Sequence, residues 1–161
     1  MRRSDREVTD IYEILQIIDK AKVLHLGLFD GEYPYVVPLH FGYSYAEEEK
    51  KLTFYMHGAF EGHKLDLIRQ NPQVCVEMEC DIELISGGDV PCSYGSTFAS
   101  VIGKGQAQIV EEEQEKIQGL KLLMKNQTGR EFAMDGQMAD TVAVIKVSVK
   151  EFSAKAKPKR G

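Results

Sequence analysis

The stretch FEGHKLDLIRQNP, residues 60–72, places a glycine, a histidine and a lysine at the start of a short amphipathic helix. Free backbone N–H groups and the positive end of the helix dipole favour an anion at such a start, and a lysine adds a full charge. Gly62, His63 and Lys64 are therefore candidates for anion binding, although a surface lysine beside a loop glycine would leave the same pattern. Pro38 interrupts an otherwise regular β-rich run. A proline there removes a ladder donor and points to an edge, a bulge, or backbone groups turned toward something else, such as a planar heterocycle with its own donors and acceptors.

The remaining chemistry-bearing residues carry weaker patterns. His57 and His63 have no acidic or cysteine ligand at a familiar spacing, so no metal site is expected. His25 and His40 fall within strands, where a hydrogen-bonded structural role is the ordinary reading. Gly103-Lys104-Gly105 resembles a phosphate loop only in composition, because a strand continues where a helix should begin. Ser100 lacks a G-x-S-x-G elbow and Cys92 lacks a nucleophile's local signature, which removes support for hydrolase chemistry.

The elements that must position these groups follow from periodicity. Thr9 caps a predicted helix over Asp10 to Lys20, with Ile11, Ile14, Leu15 and Ile18 on one face. KVLHLGLF and YPYVVPLHFGYSY are two β-rich runs joined at the Asp30-Gly31 turn, and KKLTFYMHG is a third strand. The short helix that follows ends at Asn71-Pro72, and QVCVEMEC alternates as a half-exposed strand does. DIELISGGDVPCSYGST reads as a loop, and FASVIGKGQAQIV as a long strand bent or bulged at its glycines. A last helix carries Ile117, Leu120, Leu123 and Met124, and VAVIKVSVKEF closes the chain as a strand. Short hairpin-linked strands with peripheral helices predict a mainly β, α+β fold, an antiparallel sheet closed into a barrel.

Composition narrows the function classes. The chain has 161 residues, enough for a single domain (1–161). Its 25 acidic against 20 basic side chains give −5, and the basic ones gather at the ends, so no nucleic acid partner is expected. No apolar run approaches a membrane span, and Asp5, Glu7, Asp10 and Glu13 interrupt any leader-like segment. Cys75, Cys80 and Cys92 lack metal or redox spacing, which predicts buried thiols in a reducing cytoplasm.

Three stretches in order, DGEYPYVVPLHFGY (30–43), LTFYMHGAFEGHKLDLIRQNPQVCVE (52–77) and FASVIGKGQAQIVEE (98–112), together with VAVIKV, resemble the FMN-binding split-barrel superfamily related to pyridoxamine 5′-phosphate oxidase. The set is similar to its nitroimidazole-resistance (Nim) branch. The resemblance implies a six-stranded antiparallel split β-barrel with peripheral helices. It implies FMN as cofactor, with Lys64 and His63 at the phosphate and the Ser100 hydroxyl on the facing strand. Backbone groups of Val37, Pro38 and Leu39 would line the isoalloxazine edge, with His57 near the flavin as a conceivable catalytic proton donor. Thr97, counted with the cofactor-binding set, stands with Ala99 beside Phe98, where family members often carry a basic residue. A homodimer with the flavin at the interface is implied. The function implied is a cytoplasmic flavin reductase passing electrons to a small electron-poor acceptor, of nitroaromatic or quinone type. The alternative is a haem- or flavin-binding protein with little turnover, in which His25 or His40 would be an axial ligand. The tail FSAKAKPKRG lacks the arginine-rich substrate motif of pyridoxamine phosphate oxidases, so pyridoxal phosphate synthesis is not expected.

Overall fold

The computed structural model describes residues 4–157, so the outermost basic residues of both ends lie outside the described span. Helix α1 (Ile11–Lys20) begins one residue later than predicted because Asp10, not Thr9, is its cap. The Asp10 carboxylate accepts from the N–H groups of Tyr12 (2.8 Å) and Glu13 (3.0 Å), satisfying two otherwise orphaned donors. Its apolar face buries Ile14, Ile17 and Ile18.

Eight strands among the described residues form one antiparallel sheet. They are β1 (Glu7–Val8), β2 (Leu24–Asp30), β3 (Tyr33–Leu39), β4 (Phe41–Ala46), β5 (Lys51–Gly58), β6 (Gln73–Ile85), β7 (Gly95–Val110) and β8 (Ala143–Lys157). The order is β3-β2-β6-β7-β8-β5-β4, with β1 added to the end of β8. The fold is thus mainly antiparallel β with few helices, consistent with a split barrel. It has eight strands where six are predicted, and its path does not close through hydrogen bonds between β3 and β4.

Three differences from the sequence reading have local causes. The predicted run over 33–45 is two strands, parted at His40, whose ring bonds the Lys22 carbonyl at 3.0 Å. Much of the predicted loop over 81–97 is strand. A bulge between Cys80 and Glu83, with Asp81 at φ 55°, lets β6 continue to Ile85. The buried Thr97 hydroxyl pins that bulge, donating to the Asp81 carbonyl (2.6 Å) and accepting from Glu83 N–H (3.0 Å). Third, β8 runs on to Lys157 because Phe98 to Lys104 pair with its extension. The predicted irregularity at the glycines is present as a register shift between Lys104 and Gly105.

Alternation along the strands sends one set of side chains into a common core: Leu24, Leu26 and Leu28 from β2, Leu52, Phe54 and Met56 from β5, and Ile145, Val147 and Val149 from β8. Each such burial is worth roughly 1.5–3 kcal/mol. Helix α2 (His63–Gln70) lays Leu65, Leu67 and Ile68 on the same core. A second cluster of Tyr55, Val110, Ile117, Leu120, Ala139 and Val144 joins α3 (Glu113–Thr128) and α4 (Gly136–Ala139) to the opposite face of β5 and β8. Among the described residues no helix is long and apolar enough to cross a membrane.

Candidate functional site

The start of α2 is built to leave donors free. Gly62 is its N-cap, at φ 141° and ψ 156°, a conformation essentially restricted to glycine, and it supplies no side-chain cap. Leu65 and Asp66 bond back to the Gly62 carbonyl. The N–H groups of the first turn ahead of them have no intrahelical acceptor to use. Lys64, half-buried, extends its amine across the end of β5: a Cβ placed at Gly58 would come within 3.0 Å of Lys64 Nζ. That amine makes no hydrogen bond or ion pair among the described residues. A bare glycine, free N–H groups and an unneutralised ammonium together form a cradle of the kind an anionic group fills.

His63 sits beside this cradle with its ring already oriented. Its Nε2 lies 2.7 Å from Asp30 Oδ2, and the Tyr35 ring meets it edge-on at 5.1 Å and 81°. Asp30 and Tyr35 come from the β2–β3 hairpin, so the helix start and the head of β3 are held together. Neither was a candidate in the sequence; Asp30 was legible there only as a turn former. On the other side, the nearly buried Lys116 of α3 pairs with Asp140 (3.0 Å) and lies 5.9 Å from the centre of the Phe60 ring, tying the loop before α2 to α3.

Val37, Pro38 and Leu39 lie on β3, an outer strand of the sheet. Pro38 opposite His25 therefore costs no interior ladder bond, and half of the edge's backbone groups are left to face outward. His57 is exposed, pairs with Val144, and shares a strand face with Tyr55, on the side covered by α3. The end of β5, the start of α2 and the head of β3 are thus neighbours, and they bring His57, His63 and Lys64 to one end of the sheet, with Val37, Pro38 and Leu39 further along β3.

Ser100 and Thr97 are not brought there within one chain. Ser100 pairs with Lys155, whereas Gly58 pairs with Ala143, a dozen positions away along β8 and so about 40 Å of strand. Thr97 faces inward and its hydroxyl is fully engaged in the bulge. Ser100 faces outward instead, in a row with Glu79 and Lys155.

That outer face carries a cluster the sequence did not suggest. His25 pairs with Glu77 across β2 and β6, and Glu79 stands two positions on with the same facing. His25 Nδ1 is 3.1 Å from Glu77 Oε2 and 3.6 Å from Glu79 Oε2. Burial, and next the neighbouring Glu79 carboxylate, push the Glu77 carboxyl above its usual range. His25 and Glu77 border a cleft of about 790 Å³ that also meets Phe29, Val36, Cys75 and Lys104. The thiols are not buried as expected: Cys75 and Cys92 are exposed and Cys80 half-buried, because Cys75 falls on the outward alternation of β6 and Cys92 in the turn before β7. His40, the other strand histidine, is held to the Lys22 carbonyl.

Comparison with known proteins places this arrangement. No curated protein matches the chain. Among solved structures, a candidate 5-nitroimidazole antibiotic resistance protein from Bacteroides thetaiotaomicron superposes with a TM-score of 0.77 at 29% identity, covering 93% of this chain and 86% of that one. The flavocytochrome Anf3 from Azotobacter vinelandii superposes at 0.75 with 20% identity, covering 99% and 72%. A FAD- and haem-binding protein from Mycobacterium smegmatis does so at 0.77 with 13% identity, covering 97% and 77%. The last two likenesses establish shared fold only. A sequence model described as pyridoxamine 5′-phosphate oxidase matches residues 10–156. The chain therefore belongs to the pyridoxamine 5′-phosphate oxidase-like family.

Proposed function

We propose that this chain is a homodimeric, FMN-dependent reductase that passes electrons to a small electron-poor acceptor of nitroaromatic or quinone type. The observation that carries the reading is the unpartnered Lys64 amine lying over Gly58 at the donor-rich start of α2. A terminal phosphate matches this cradle in charge, size and hydrogen-bond demand, which favours a mononucleotide flavin held by its end. The FAD-binding and flavocytochrome neighbours support a flavin in general, and the resistance protein at 29% identity supports the acceptor class.

FMN, when bound, supplies the electron transfer itself. The protein's part is positioning. Lys64 and the N–H groups of α2 hold the phosphate, with His63 fixed beside them by Asp30. The outward-facing half of the backbone of Val37, Pro38 and Leu39 offers hydrogen-bonding groups along an edge where the missing proline N–H leaves acceptors in excess. His57, exposed at the end of β5, would be the proton donor. Ser100 reaches a phosphate only from a second copy, because in its own chain it lies far along the sheet from Lys64. A two-fold dimer with two shared sites meets that requirement.

The test is FMN binding followed by absorbance, and then acceptor reduction. A charge-assisted contact is worth about 1.5–3 kcal/mol, so Lys64→Ala should weaken FMN roughly ten- to hundred-fold. Unchanged affinity would overturn the phosphate assignment. Reduction of a nitroaromatic by the reduced holoprotein separates a reductase from a flavin-holding dimer with little turnover. A haem spectrum in place of a flavin one would instead mark ligation by His25 or His40.

A further inference from the structure

Among the described residues, one cluster outside the proposed flavin site has donors that converge as metal ligands do. His25 on β2 and Glu77 and Glu79 on β6 offer three ligand atoms, all within 4.8 Å of one another. The geometry points to a binding site here for a divalent transition ion, of the zinc, iron(II) or manganese class, with one imidazole and two carboxylate ligands.

Three observations carry it. The first is spacing. Ligand bonds of about 2.0–2.2 Å in a tetrahedral shell put neighbouring donor atoms about 3.3–3.5 Å apart. The separations of His25 Nδ1 from the two carboxylate oxygens, 3.1 and 3.6 Å, bracket that edge length. The second is an orphaned atom. Glu79 Oε2 is closed off from solvent and has no hydrogen-bond partner among the described residues, a state that ordinarily destabilises. It lies 3.6 Å from His25 Nδ1, where a shared cation would relieve it. The third is rigidity. The ligands project from hydrogen-bonded strands, with His25 opposite Glu77, so little conformational entropy is lost on binding.

The donor set narrows the ion. Imidazole disfavours calcium and magnesium, two carboxylates disfavour copper(I), and the mixture suits the borderline ions. Two carboxylates and a neutral imidazole carry −2, which a divalent ion neutralises. The side chains of all three ligands are about one-third exposed, and two of them border the 790 Å³ cleft. Remaining coordination positions would open toward that cleft, to water or an oxygen donor. Lys155, in the row beyond Ser100, makes no ion pair with Glu79 and does not already fill the role.

The inference is independent of the flavin reading, and its test keeps the two apart. The full-length protein, stripped with chelator and titrated calorimetrically with ZnCl₂ alone, should bind one ion per chain. Glu77→Gln should weaken that binding at least ten-fold while leaving FMN affinity unchanged. Glu79→Gln should weaken zinc binding likewise, and is read by zinc binding alone because Glu79 stands opposite Ser100. Zinc should also raise the melting temperature of the unsubstituted chain where equal magnesium does not. Failure to bind one equivalent, or equal zinc affinity in the chain and both variants, would show that His25 is only an ion-pair partner of the two glutamates and overturn the site.

Discussion

The molecule gathers polar groups in two places by opposite means. The cradle at α2 is made of consecutive residues, Gly62, His63 and Lys64, with a glycine in φ 141° and a cation without a partner among the described residues. The outer face of β2, β6 and β7 is made by register: His25 meets Glu77 across 52 residues of sequence, with Glu79 two positions on. A helix start can be reshaped at small cost because its donors face solvent. A sheet face cannot, because every side chain on it is placed by the ladder that also holds the core. The difference predicts that the cradle governs affinity and the sheet face governs stability.

The largest effect that would break this division is at Gly105, in the register shift of β7 beside the acidic face. A Cβ there would stand 2.3 Å from the Ser148 carbonyl oxygen and 2.9 Å from its carbon. Those are backbone atoms of the paired strand and cannot turn aside, so β7 and β8 must part. Gly105→Ala should cost more than about 3 kcal/mol and lower the melting temperature by roughly 6–12 °C. Lys64→Ala, which touches no core residue, should melt within about 2 °C of the unsubstituted chain. Equal losses from both would show that the cradle is part of the framework after all.

The next effect sharpens the comparison by asking whether the two regions meet across a dimer. Lys64→Ala and Ser100→Ala chains should each bind FMN weakly, the second by a smaller factor, since the Ser100 hydroxyl brings one hydrogen bond to the phosphate and no charge of its own. Mixed and re-formed in equal amounts, half the dimers are mixed, and each of these holds one site with both native residues. About a quarter of all sites should then recover native affinity. If Lys64 and Ser100 belonged to one chain's site, mixing would recover none.

The same contrast explains what could be read beforehand. The cradle was legible because its residues are adjacent and its helix signal is local, and the edge position of β3 was legible from Pro38. The cap at α1 was placed one residue early because Thr9 and Asp10 are both good caps and only the backbone decides between them. The segment over 81–97 carries the glycines and the proline of a loop. A bulge and the buried Thr97 hydroxyl instead carry β6 on to Ile85. The short β1 and the extension of β8 stabilise each other, and neither has a signal of its own. His25 with Glu77 and Glu79, and Asp30 with His63, are products of register and hairpin closure, which no spacing along the chain encodes.

The smallest effect lies between the two regions, at Tyr55, beneath α3 on the strand that ends at the cradle. Its ring packs against Gly119, where a Cβ would come within 2.6 Å of Tyr55 Cδ1, and its hydroxyl donates to Glu115 Oε1 at 3.2 Å, which Lys146 also engages at 2.5 Å. Burial, and then the Glu115 carboxylate, push its phenol up to about 12. In the unfolded chain a tyrosine loses its proton near 10. Between those values the folded state binds the proton more tightly, so the contribution is fully present below about pH 10 and is lost as pH rises through about 12. Tyr43, raised by burial and by Asp19, adds to the same decline. Urea unfolding at pH 9 to 11.5 should therefore show stability falling with pH, and Tyr55→Phe should make that fall shallower without abolishing it. An unaltered slope would mean that Glu115 and α3 do not close over Tyr55 in solution, and that the sheet reaches the cradle without the support of α3.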